Sequence, residues 1–216
     1  LTTARRTQAE RRATTIAKLV DATIEAIAEI GYHNASLGEI SSRAGVSKGA
    51  VFRHFESRTD LVVAAADEVR RRHMAAAAEL RNADNTTQQV DLEAVMRLIR
   101  REIRDTTNTV WFELLVAART EPDLRTRLEP VLRDMMREIE DLAITILGPD
   151  ISPDVARLLV TSLIHMFDGE AIIRHTYPRP ELEEARIEQV AAAFRQLTVG
   201  RNGIAAAPSE SRAGKA

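Results

Sequence analysis

Residues 36–61 hold most of the chain's chemically suggestive side chains. They read Ser36-Leu37-Gly38-Glu39-Ile40, then Ala44-Gly45-Val46-Ser47-Lys48-Gly49, then Phe52-Arg53-His54-Phe55, with Ser57, Arg58 and Leu61 following. Between 43 and 58 the cations Arg43, Lys48, Arg53 and Arg58 are balanced by Glu56 alone, and the arm before them adds Arg5, Arg6, Arg11 and Arg12. Cations and hydroxyls at this density, separated by small residues, suit contact with an anionic partner.

Bond-making chemistry has no comparable grouping. The five histidines, His33, His54, His73, His165 and His175, form no His-x-x-x-His or His-Glu-x-x-His pair, so a helical metal site lacks its ligand set. Zero cysteines exclude disulfides, thiolate zinc sites and a cysteine nucleophile. Neither a Gly-x-x-x-x-Gly-Lys-Ser/Thr phosphate loop nor a nucleophile elbow is present. Asp168-Gly169-Glu170 is the one tempting acidic group in an apolar helix, and Gly169 there reads better as close packing at a dimer seam. No enzyme, metal or cofactor is expected.

The elements that must position these residues are helices. The chain has 216 residues, 44% of them apolar and 4% aromatic, with 30 Lys and Arg against 32 Asp and Glu. That is a soluble, globular, all-α composition. Residues 1–60 hold nine basic and seven acidic groups while the remainder is net acidic, so one end alone seeks an anion. No apolar run approaches the roughly 18 residues of a membrane span, and no signal segment is written, so a cytoplasmic location is expected.

Ile16, Leu19, Val20, Thr23, Ile24 and Ile27 repeat at three and four residues, which predicts a helix over 9–30 closed by Gly31. Ser36 with Glu39 forms a capping box for a short helix carrying Leu37, Ile40 and Ala44. Gly45 stops it, and Ser47 caps a second that runs through Phe52 and fades near His54 and Phe55. Two helices of about eight residues with only Gly45 and Val46 between them make a helix-turn-helix. Val51, Phe52 and Phe55 are expected to seat the second helix on Ile40 and the first. Ser47, Lys48, Gly49 and Ala50 then lie at its exposed N-terminal end, suited to a major groove.

The motifs quoted above resemble the DNA-binding signature of the TetR family of bacterial transcriptional regulators. The resemblance is close from the first helix to the start of the fourth; beyond that, only helix number and lengths agree. It implies a dimer with a small reading head, residues 1–56 including a flexible arm 1–8, and a larger regulatory domain over 57–200. It places Ser36, Ser47, Lys48, Gly49, His54 and Arg58 at positions that touch DNA, the last two on phosphates. Arg43, Ala50 and Phe52 complete the candidate set. At Phe52 the family often has Tyr, whose hydroxyl reaches a phosphate, and Phe cannot do this.

In the body, helices are expected from Ser57 to about Arg81, then around Leu92 to Ile103, Trp111 to Ala118, Leu128 to Ile146, 154–177 and 181–199, with 82–89 a loop. The segment 154–177 is apolar nearly all round and so must be covered on all sides. By the resemblance, 154–199 pairs with its mate in a homodimer, which predicts a palindromic double-stranded operator. A cavity lined by Met96, Ile99, Ile103, Trp111, Phe112, Leu115, Met135, Ile139, Met166 and Phe167 would take a small apolar or amphipathic effector. Its candidate polar anchors are His165, Asp168, Arg174 and His175. The repressor sign comes from the family alone. The alternative is a helix-turn-helix protein whose body binds another protein or is architectural. Residues 201–216, small and without periodicity, are expected to be a disordered tail.

Overall fold

The first helix, α1 (Gln8–Ile30), starts on a full capping box: Glu10 N–H donates to Thr7 Oγ1 at 3.2 Å and Thr7 N–H donates to the Glu10 carboxylate at 2.7 Å. In the computed structural model, residues 7–83, 91–149 and 151–204 are described. Thr7 and Gln8, expected in a flexible arm, are therefore cap and first turn of α1, while Arg5 and Arg6 lie outside the described residues. Leu19, Val20, Thr23, Ile24 and Ile27 are all buried, as their spacing predicts. Gly31 closes the helix at φ 80°, a conformation that favours glycine.

Helix α2 (Leu37–Arg43) is capped by Ser36, whose Oγ accepts the Glu39 N–H at 3.2 Å. Only this half of the expected capping box forms, because the Glu39 carboxylate instead accepts Arg43 Nε at 2.7 Å. After Gly45 at φ 64°, α3 (Lys48–Val51) is four residues long, and α2 is seven, so both are shorter than the predicted eight. The helical ladder of α3 tightens: Arg53 N–H bonds to Ala50 O and His54 N–H to Val51 O, three residues back, and this turns the chain out of the helix.

The body follows as α4 (Arg58–Ala83), α5 (Leu92–Ile103), a 3-10 turn over Thr106–Asn108, α6 (Thr109–Ala118), α7 (Pro122–Leu147), α8 (Pro153–Ile173) and α9 (Pro180–Ile204). Pro122 opens α7, where its missing N–H costs nothing, and Pro130 is carried within the run. Helix α9 continues four residues into the expected tail, and 205–216 fall outside the described residues.

One apolar core runs from the head into the body without a break. It joins Leu19 and Ile27 of α1, Ile40, Val51, then Leu61, Val62, Ala65 and Val69 of α4, Trp111 and Leu114 of α6, and Leu124 and Leu128 of α7. Each fully buried Leu or Ile contributes about 2 kcal/mol by leaving water. A second core holds Leu92 and Met96 of α5, Leu163 and Phe167 of α8, and Ile187 and Ala191 of α9. Beside it Arg104 donates to the buried Glu170 at 2.5 Å and to the buried Glu183 at 2.7 Å, and Arg186 also pairs with Glu170. The carboxylate of Glu170 thus ties α5, α8 and α9 together. On the other side of α8, Leu158, Ile172 and Ile173 remain exposed, at 68%, 51% and 60%.

Candidate nucleic-acid interface and ligand cavity

The short helices bring Ser36 and Lys48 to one place. A Cβ on Gly38 would lie 3.2 Å from Lys48 Cε, 3.3 Å from its Nζ and 3.6 Å from Ser36 Oγ, so the missing side chain lets the Lys48 ammonium lie across the start of α2. Ser36, Ser47, Lys48 and Gly49 are exposed and Ala50 is half-buried beside them. Val51 is buried and Phe55 half-buried, and these two seat α3. Phe52 does not share that task as predicted: it is 57% exposed, and its neighbour Arg53 is exposed as well. Arg53 makes no ion pair among the described residues. His54 is half-buried, with Nδ1 enclosed and unbonded.

Two arginines expected in the contact set are committed elsewhere. Arg43 donates to Glu39 at 2.7 Å and to Glu29 of α1 at 2.5 Å, and the hydrogen bond to Glu29, followed by that to Glu39, holds its guanidinium even more firmly charged. Two carboxylates offset its charge, which weakens its net attraction for a phosphate. Arg58 turns inward: its Nε donates to Ala35 O at 3.0 Å, its Nη2 to Tyr32 O, and its guanidinium carbon lies 4.2 Å over the Tyr32 ring. It fastens the start of α4 to the turn between α1 and α2. Spacing alone cannot distinguish such a strap from an outward contact.

That turn is also fastened to the body. Tyr32 N–H donates to Glu113 Oε2 of α6 at 2.8 Å, and the buried Tyr32 hydroxyl donates to Glu121 Oε2, at the start of α7, at 2.6 Å. Burial, then the Glu121 hydrogen bond, raise the tyrosine pKa above its usual value.

A cavity of about 690 Å³ lies among α4, α5, α6, α7 and α8. Seven of the ten predicted lining residues border it: Ile99, Ile103, Trp111, Phe112, Leu115, Met135 and Ile139. Met96 and Phe167 do not, because they lie on the faces of α5 and α8 that meet α9, 0% and 1% exposed in the second core, and Met166 packs against that core too. His165 and Asp168 border the cavity, whereas Arg174 and His175, beyond the end of α8, are exposed and do not.

The sequence reading missed His73, Met74 and Ala77 of α4. The signal was present, since Val62, Ala66, Val69, His73 and Ala77 continue one helical face. Burial pushes the His73 imidazole below its usual pKa, and its Nε2 lies 3.4 Å from Thr107 Oγ1. Asp168 is pushed up to about 6 by burial, against the opposing charge of His165. Trp111 is 2% exposed and its Nε1 has no hydrogen-bond partner among the described residues. No group of three metal-ligating side chains occurs among the described residues, and none of the described helices is long and apolar enough to cross a membrane.

Comparison with known proteins gives these arrangements a context. The family described as bacterial regulatory proteins, tetR family, matches residues 19–65. An HTH-type transcriptional regulator of Mycobacterium tuberculosis is 40% identical over 188 residues, spanning 87% of this chain and 96% of the relative. The HTH-type transcriptional regulator CymR of Pseudomonas putida is 28% identical over 173 residues, 78% of this chain and 83% of CymR. Among solved structures, the multidrug binding protein EbrR complexed with imidazole shares the fold at a TM-score of 0.63 and 23% identity, covering 85% of this chain and 94% of that one.

Proposed function

The chain belongs to the TetR family of bacterial helix-turn-helix transcriptional regulators, and from that premise we propose that it is a homodimeric repressor released from a palindromic operator by a small apolar or amphipathic effector. The relatives are DNA-binding regulators, not enzymes. In this reading residues 1–56 are the reading head and 57–200 the ligand-binding and dimerisation domain, although one core crosses the boundary.

The observation that carries the switch is the two-sidedness of α6. One side presents Trp111, Phe112 and Leu115 to the cavity, while Glu113 holds the backbone of Tyr32 in the head. Helix α4 is the second lever. At about 1.5 Å per residue its 26 residues span about 39 Å, from Arg58, strapped to the head, past His73, Met74 and Ala77 at the cavity wall. An effector that displaces α6 or α4 therefore moves the head, and a difference of about 1–3 kcal/mol between the two states changes operator affinity about 5- to 150-fold.

Ser36, Ser47, Lys48, Gly49, Ala50, Phe52 and His54 form the proposed contact surface, with Arg53 in place of Arg43 and Arg58. The dimer reading rests on the uncovered Leu158, Ile172, Ile173 and, on α9, the 45% exposed Leu182. Gly169 supports it as well: a Cβ there would meet nothing within 4 Å, which leaves room for a partner helix. Selection of bound sequences from a random duplex library tests the function directly. A palindromic motif is the expected result, and enrichment of single half-sites alone, or of no motif, would overturn the dimeric-operator reading.

A further inference from the structure

We propose that the cavity selects an organic cation, an apolar body carrying one ammonium-like charge that is placed against Asp168. The inference rests on the ligand-binding reading above and gives the chemical class of the ligand. The charged lining groups decide it. Helix α8 contributes Asp168 and His165, α5 contributes Glu102, and α4 contributes His73; the lining residues of α6 and α7 are uncharged, and among the described residues no Lys or Arg borders the cavity. Burial disfavours the charged form of His73, and the acidic lining groups are two carboxylates, with the exposed His165 opposing Asp168.

Asp168 is the more exceptional of the two. Glu102 has Arg101 beside it at 3.3 Å, on a solvent-exposed edge. Two residues from Asp168 on the same helix, Glu170 is buried and receives both Arg104 and Arg186. Asp168 has neither a hydrogen bond nor an ion pair among the described residues, although it is withdrawn from water enough for its pKa to rise. A desolvated carboxylate opposed among the described residues only by the charge of the exposed His165 is under-compensated, and an incoming cation removes that penalty while an anion deepens it. The remaining wall is mostly aliphatic, methionine and aromatic, and it includes Trp111 and Phe112, residue types that favour a cation. A volume near 690 Å³ is of the size that holds a drug-sized molecule.

Trp111 is the only tryptophan, so its fluorescence in the full-length protein reports the cavity directly. Three probes sharing one body are titrated at pH 7.5: 6-phenylhexylamine, 6-phenylhexan-1-ol and 6-phenylhexanoate. The amine is expected to bind at least about tenfold more tightly than the carboxylate, with the alcohol between them. Asp168→Asn is expected to reduce amine affinity at least about fivefold and leave the alcohol within about twofold, while Asp168→Glu retains the preference. Tighter binding of the carboxylate or the alcohol, or an unchanged preference in Asp168→Asn, would overturn the charge assignment and leave the ligand-binding reading intact. Binding of none of the three would overturn both.

Discussion

The Tyr32 hydroxyl donates to Glu121 at 2.6 Å, joining the turn between the first two helices to the start of α7 across 89 residues of sequence. Because Tyr32 is 1% exposed and its backbone N–H is held by Glu113, one residue registers the head against two helices of the body. Hydrogen bonds thus add to the shared apolar core in linking α6 to the head. Tyr32→Phe is expected to lower stability by about 1–2 kcal/mol, the net contribution of one hydrogen bond to a charged group whose carboxylate stays partly open to water. Thermal unfolding should show a fall of about 2–8 °C for a chain of this size. A variant as stable as wild type would show that the bond contributes nothing.

The arginines of the head should separate by experiment. Lys48→Ala and Arg53→Ala are each expected to weaken operator binding and to flatten the plot of log affinity against log salt by about 0.9 for each phosphate the side chain had neutralised. Arg43→Ala should change that slope less, since Glu29 and Glu39 already engage the side chain. Arg58→Ala should instead destabilise the fold, because it releases the carbonyls of Tyr32 and Ala35. Flattened slopes for Arg43→Ala and Arg58→Ala, with none for Lys48→Ala and Arg53→Ala, would reverse the assignment.

Phe52 offers a gain-of-affinity test. Its ring is 57% exposed on the proposed contact face. Phe52→Tyr adds a hydroxyl at no packing cost and should tighten operator binding severalfold, consistent with about 1 kcal/mol for one added hydrogen bond. Unchanged affinity would remove Phe52 from the interface.

The uncovered stripe of α8 predicts the assembly. Leu158→Glu combined with Ile172→Glu places charges where the partner helix is expected, and sedimentation equilibrium should then report a monomer. A dimer that survives the pair of substitutions would locate the interface elsewhere.

Asp168 gives a signed pH dependence. Its folded pKa is raised from 3.8 to about 6, so the stability it contributes is complete below about 3.8 and is lost as pH rises through about 6. Asp168→Asn is neutral throughout and should be more stable than wild type at pH 7.5, by about 1–2 kcal/mol after allowance for water that screens the exposed part of the carboxyl. The difference should vanish near pH 4. His73 acts in the opposite sense, its contribution being lost as pH falls, but it is common to both proteins and cancels when they are compared at each pH. His165, the nearest opposing charge, and Glu102 are likewise common to both. A gap that widens on acidification would contradict the buried-carboxylate account.

Much of the site was legible because local rules set it. Ser36, Ser47 and Ser57 cap their helices as their types predict, and the spacing of Leu19, Ile24 and Ile27 identifies the buried face of α1, whereas Thr7, expected in a flexible arm, is also a cap. The lengths of α2 and α3 were less legible, since hydrogen bonds of the closing turn, rather than propensity, end α3. Within the cavity, period located the helices but not their rotation: Met96 and Phe167 share helices with true lining residues and face α9 instead.

The order of the helices, the helix-turn-helix and the basic character of one end were determined by sequence alone, because caps, glycine turns and apolar period act between residues a few positions apart. Tertiary structure decided which charges are available. Arg43 and Arg58 are as cationic as Arg53 in the sequence, yet Glu29 and the carbonyls of Tyr32 and Ala35 claim the first two and leave the third exposed. Asp168 and Glu170 likewise differ only in what α5 and α9 bring to them: arginines reach Glu170, and an apolar cavity faces Asp168. An ion's role depends on its counter-ions and on its access to water, and both are set by residues far away in the chain.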